Sequence, residues 1–165
     1  MAINKKTIFT FVFLLLAAVF LLGATLTISG DKVFAGTRPN NLGVNLSQLT
    51  PCPSTPNCVN SQSVDTEHSI APLTYNSSSL EAWANLKGAI ATFSRAKIIQ
   101  EADNYIYAEF TLPVVGFVDD VEFQLDEQAK VINVRSASRL GESDLGVNRQ
   151  RVENIRTKFA QLQAS

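Results

Sequence analysis

Histidine and cysteine are scarce in this chain of 165 residues, which has one His and two Cys. Any Ser-His-Asp triad would have to run through His68, which stands in an irregular stretch. There is no Gly-x-Ser-x-Gly, no phosphate-cradling glycine loop, no dinucleotide fingerprint and no His-Glu-x-x-His. No cofactor is expected on these grounds. A basic excess is missing too, because the formal charge is −1. Beyond residue 35 the chain keeps 11 basic and 14 acidic residues, a net of −3. A nucleic-acid partner needs a basic footprint, so none is expected.

What the chain does have is one long apolar run. Lys5 and Lys6 precede 22 uncharged residues, 8–29, with the core Phe-Val-Phe-Leu-Leu-Leu-Ala-Ala-Val-Phe-Leu-Leu. Val33-Phe34-Ala35 before Gly36 is a small-residue cleavage pattern. A signal peptide has a shorter apolar region, about 7–15 residues. A spanning helix needs about 20. Residues 1–35 are therefore read as a signal peptide or a retained membrane anchor. Either way the lysines stay in the cytoplasm. The remainder is then extracytoplasmic.

Residues 36–77 hold five of the six prolines and many Asn, Ser and Thr, which reads as a loop-rich arm. Residues 78–165 read as an α+β domain. Ser78 with Glu81 makes a capping box for a helix over 78–94, with Trp83, Leu86, Ile90 and Phe93 on one face. Four strand-like runs follow, at 97–102, 105–112, 117–125 and 131–139. In the second, Ile106, Ala108 and Phe110 share one face, and Tyr105, Tyr107 and Glu109 the other. In the third, Phe117, Val121, Phe123 and Leu125 point inward while Val118, Asp120, Glu122 and Gln124 point outward. In the fourth, Ile132 and Val134 point inward. Short turns favour antiparallel neighbours. A last helix over 145–162 carries Val152, Ile155, Phe159 and Leu162, with Ser143 or Asp144 as its cap. The expected architecture is a four-stranded antiparallel sheet. Both helices pack on one face, and the other face is left polar.

Cys52 and Cys58 are read as a structural disulfide, which an extracytoplasmic compartment permits. Two alternatives stay open. One is a redox pair, although five residues separate the cysteines rather than the usual two. The other is a metal site, which would need His68, Asp65 or Glu67 as well.

The polar sheet face carries the candidate site. Pairing Leu125 with Ile132 keeps Phe123 beside Val134 and sets Glu122 opposite Arg135. Asp120 then lies diagonal to Arg135 and Arg139, and Glu109 joins from the neighbouring strand. These residues form either a solvated face of ion pairs or a polar pocket under the connection 140–148. Asp119 faces inward by alternation and needs partners. Ser136, Ser138 and the cap region around Asp144 are expected to supply them, in a structural role.

Four segments, in order, resemble a known family. They are Cys52-Pro-Ser-Thr-Pro-Asn-Cys58-Val-Asn-Ser-Gln, Gly116-Phe-Val-Asp-Asp-Val-Glu-Phe123, Val134-Arg-Ser-Ala-Ser-Arg139 and Ser143-Asp-Leu-Gly-Val-Asn-Arg149. They look like domain-of-unknown-function family 1499, over roughly residues 42–160. The start Gly36-Thr-Arg-Pro-Asn-Asn-Leu-Gly43 is similar to cyanobacterial members, which implies periplasm or thylakoid lumen. The family carries no activity to transfer. It does single out motif residues, and these add Asn148 and Arg149 to the candidate binding set.

The functional expectation is a non-enzymatic binding or accessory protein, for an unknown small ligand or a membrane-associated protein. It would touch the membrane through the N-terminal segment if that is uncleaved. The rival is a small hydrolase or isomerase, using Asp120 or Glu122 with Arg135 or Arg139 in acid–base chemistry.

Overall fold

A computed structural model describes residues 34–114 and 116–164. The uncharged run 8–29, and with it the expectation of a signal peptide or anchor, lies outside these residues. Among the described residues no helix is long and apolar enough to cross a membrane.

The elements run β1 (Val44–Asn45), β2 (Gln48–Leu49), β3 (Cys58–Asn60), β4 (Leu73–Thr74), α1 (Ser79–Ala91), β5 (Ala96–Ala102), β6 (Tyr105–Thr111), β7 (Val118–Asp126), β8 (Val131–Ser138) and α2 (Val147–Gln163). Among the described residues the fold is α+β with two helices, as expected. The sheet has six strands rather than four. Its order is β3-β8-β7-β6-β5, and β4 also pairs with β8. Both additions come from the arm. β3 lies antiparallel to β8 from Cys58↔Ala137 to Asn60↔Arg135, and β4 joins it at Leu73↔Ile132. Three-residue and two-residue strands are too short to show an alternation, so only the pairing reveals them.

The central register is the expected one. Leu125 pairs with Ile132, Phe123 with Val134 and Glu122 with Arg135. A slip of one residue would turn Phe123 and Val134 out of the core, and that cost holds the alignment. Ile106, Ala108, Val121, Phe123, Leu125, Ile132 and Val134 meet Trp83, Leu86, Ile90, Val152, Ile155 and Phe159 in one core between the sheet and both helices. Ser78 caps α1, its hydroxyl accepting from the Glu81 N–H at 3.2 Å, a contact worth about 1 kcal/mol. Phe117 departs from expectation. It precedes β7 and is 38% exposed rather than facing the core.

The other sheet face is not open. The arm folds over it. β1 and β2 form a tight hairpin with Leu46 and Ser47 at positive φ. Leu49 is buried with Tyr105 and Tyr107 in a second small cluster, against which Leu42 and Ile99 pack. Of the two forms open to that face, a solvated face of ion pairs or a polar pocket, the solvated one is not observed, because the face is an interior layer. Asp120, Glu122 and Arg135 are all buried.

Candidate functional site

The buried polar layer has two centres. At the first, Arg135 Nη1 lies 3.1 Å from Glu122 Oε2. Glu122 Oε1 accepts from the Tyr105 hydroxyl at 2.8 Å and from the Gly43 N–H at 2.6 Å. A buried carboxylate requires such partners. Arg135 Nε is buried with no acceptor among the described residues.

At the second centre Glu109 and Asp120 sit opposite each other on adjacent strands. Two like charges there would repel. Arg139 bridges them: Nε donates to Asp120 Oδ2 at 2.9 Å, and Nη2 reaches Asp120 Oδ1 at 2.7 Å and Glu109 Oε1 at 2.5 Å. The Tyr107 hydroxyl donates to Asp120 Oδ1 at 2.6 Å. Arg38, from the arm, donates to Glu109 Oε1 at 2.7 Å and stands 5.4 Å from the Tyr107 ring centre. Burial alone would raise the Glu109 carboxyl, but hydrogen bonds from Arg139 and Arg38 outweigh it and hold it at about 2. Burial, then the neighbouring carboxylates, push the Tyr105 and Tyr107 phenols above their ordinary range. The Arg139 guanidinium is lowered by burial, yet its hydrogen bonds to Asp120 and Glu109 raise it overall.

Asp119 turns to the helix side, as alternation requires. Its ion-pair partner is Arg151 of α2, rather than the serines expected. Arg151 also covers the Phe110 ring, 5.2 Å from its centre. Ser136 and Ser138 instead hold Asn148. The Ser136 hydroxyl donates to Asn148 Oδ1 at 2.5 Å, and Asn148 Nδ2 donates to Ser138 Oγ at 2.9 Å and to the Asn57 carbonyl at 3.0 Å. The N-cap of α2 is Gly146, at φ 82°, rather than Ser143 or Asp144; the Asp144 carboxylate nevertheless accepts from the Asn148 N–H in the first turn at 2.7 Å. Arg149 donates at 2.8 Å to the Ser69 and Glu67 carbonyls and so clips the arm to α2.

Sequence reasoning missed Arg38, the tyrosine hydroxyls, Asn57 and Arg151. One signal was present. Asn148 and Arg151 continue the spacing of Val152, Ile155 and Phe159, and all five are buried along one stripe of α2.

Cys52 and Cys58 are joined in a disulfide. That pairing removes both thiols as metal donors or free redox groups. His68 Nδ1 lies 2.8 Å from Asp65 Oδ1, and Nε2 lies 3.2 Å from the Thr55 carbonyl, so the ring braces the cysteine loop. Among the described residues no group of three His, Cys, Asp or Glu side chains could hold a metal ion.

A cavity of about 430 Å³ does lie under the connection 140–148, but its character differs from the expected one. Leu112, Phe117, Leu140, Leu145 and Val147 form its walls, and Asp119, Ser138 and Asp144 supply the polar atoms. None of Glu109, Asp120, Glu122, Arg135 or Arg139 lines it. A second groove of about 640 Å³ shares Leu112 and Val147 with it and adds Arg95, Gln150 and Asn154.

An α+β domain with a cysteine loop, an ion-paired sheet and a polar network at the start of its last helix is the class these features define. The chain belongs to the DUF1499 family of proteins of unknown function, whose model matches residues 48–159. That span holds the disulfide, the Asn148 network and the sheet residues of both polar centres, while Arg38 and Gly43 of the arm precede it. No curated protein matches the chain.

Proposed function

We propose that this protein acts outside the cytoplasm as a non-enzymatic binding or accessory protein, and that its ligand site is the apolar-walled cavity at the end of the sheet. The observation that carries this is the cavity itself. Its volume of about 430 Å³ falls within the roughly 300–1,000 Å³ common for small-molecule sites. Its walls are apolar, with a few polar atoms at hand. The adjoining groove adds Arg95, whose side chain is exposed. An amphiphilic molecule fits this pair, its chain in the cavity and an anionic head beside Arg95.

The charged face has another use in this reading. Glu109, Asp120, Glu122, Arg135 and Arg139 bind the chain's own arm through Arg38 and Gly43. A general base needs a free lone pair and a pKa near the working pH. Glu109 is held far below that, and Asp120 and Glu122 each accept from an arginine and a tyrosine. The geometry therefore lends no support to hydrolase or isomerase chemistry there. The disulfide suits an extracytoplasmic setting.

Titration of the delipidated full chain with laurate, followed by calorimetry or native mass spectrometry, tests the proposal. Saturable one-to-one binding is expected. Phe117→Arg and Leu140→Arg should abolish it, and Arg95→Glu should weaken it relative to dodecanol. Wild-type protein that never saturates, or binding untouched by all three changes, would sink the idea.

A further inference from the structure

Exposed large apolar side chains gather at the end of the sheet where β6 stops, β7 starts and β8 stops. Val114 is 101% exposed, Leu145 95%, Phe34 50%, Leu140 45% and Phe117 38%. Phe117, Leu140 and Leu145 rim the cavity described above, and Val114 stands in the turn from β6 to β7. A contiguous exposed apolar patch marks an interaction surface rather than chance exposure.

The path of the chain says what that surface meets. Phe34 packs on Phe117, ring centres 5.7 Å apart. Gly36 then passes so close to Arg139 and Leu140 that a Cβ there would stand 2.8 Å from Arg139 Cβ. Residues 34–36 are therefore bound to this end of the sheet. Only residues 30–33 separate Phe34 from the uncharged run 8–29, and four residues span at most about 14 Å. Lipid around that run would be within reach of the patch.

We infer that this apolar end docks on the outer surface of the membrane, with Val114, Phe117, Leu140 and Leu145 entering the interfacial zone of the lipid. The occupant of the patch is lipid. The cavity mouth then opens toward the bilayer, where an amphiphile would be found. The inference shares the cavity rim with the proposed function and rests on the membrane-segment reading, but it requires no bound ligand. Side chains of this kind gain free energy at the headgroup boundary in proportion to the apolar area they bury.

The test uses the full chain in phosphatidylcholine vesicles, with environment-sensitive labels on single added cysteines: Val114→Cys, Leu145→Cys, Leu80→Cys and Phe13→Cys. Leu80 is exposed at the start of α1, beside the opposite end of the sheet. Brominated phosphatidylcholine should strip most of the fluorescence from labels at 114, 145 and 13, and leave the label at 80 unchanged. A quenched label at 13 with unquenched labels at 114 and 145 would overturn docking while keeping the anchor. Four unquenched labels would overturn docking and the anchor together. Laurate binding is read separately, so quenching without laurate binding keeps lipid docking and sinks the ligand reading. Binding without quenching does the reverse.

Discussion

Glu109 and Asp120 face each other across β6 and β7, buried, and the Arg139 guanidinium is within hydrogen-bond distance of both. Two carboxylates in this position hold only because a cation is fixed between them. The arrangement ties the last residue before the 140–148 connection to the centre of the sheet, and through Arg38 to the arm.

Removing that cation should be costly. Arg139→Met takes the bridging cation from two buried like charges, to which Tyr107 and Arg38 still donate, and breaking a buried pair from one side costs about 3–5 kcal/mol. Lysine should not restore the loss, since one ammonium cannot reproduce the forked contacts to both carboxylates. Urea denaturation of the two variants measures this. An Arg139→Met protein as stable as wild type would show that the cluster contributes nothing.

Acid should loosen the same cluster. The Glu109 carboxyl is held at about 2 in the fold against an ordinary 4.5. A depressed folded value means that the unfolded chain takes up the proton first. The stability contributed by Glu109 is thus full above about pH 4.5 and is lost as pH falls toward 2. Midpoints of urea unfolding across that window should drop with acid, and Glu109→Gln should flatten the slope.

The arm depends on a residue without a side chain. Gly36 has φ +66° and no room for a Cβ beside Arg139. Gly36→Ala should cost roughly 1–2 kcal/mol from the left-handed backbone alone, and contact with Arg139 adds to it. Gly43 offers the comparison. It has φ +121° with nothing within 4 Å of an added Cβ, so Gly43→Ala suffers from backbone conformation without a clash. Limited proteolysis should cut the arm of Gly36→Ala faster than that of wild type.

The disulfide should be silent chemically and useful structurally. Thiol alkylation without reductant should add no mass, and with reductant should modify both Cys52 and Cys58. Replacing both with serine frees a short loop, for a loss of about 2 kcal/mol in the chain-entropy account. The loss should appear as a lower melting temperature. An unchanged one would mean that Cys58 is held by its pairing with β8 alone.

Much of this protein was legible in the order of its residues. The period of two placed Glu109, Asp120 and Glu122 on one face and Phe123 and Val134 on the other, because burying the apolar set leaves a single register. The stripe of α2 and the cap at Ser78 followed from helical spacing. Asp119 was visibly in need of a partner.

Its partner, and the fate of the polar face, were decided only in three dimensions. Arg38 reaches Glu109 across 71 residues and Gly43 reaches Glu122 across 79. Contacts of that range leave no period in the chain, and the arm that makes them has none of its own. Alternation tells which side chains share a face. Whether water or another stretch of backbone covers that face depends on where an irregular segment comes to rest. Here it comes to rest on the charges, and the apolar side chains at the end of the sheet are the ones left exposed.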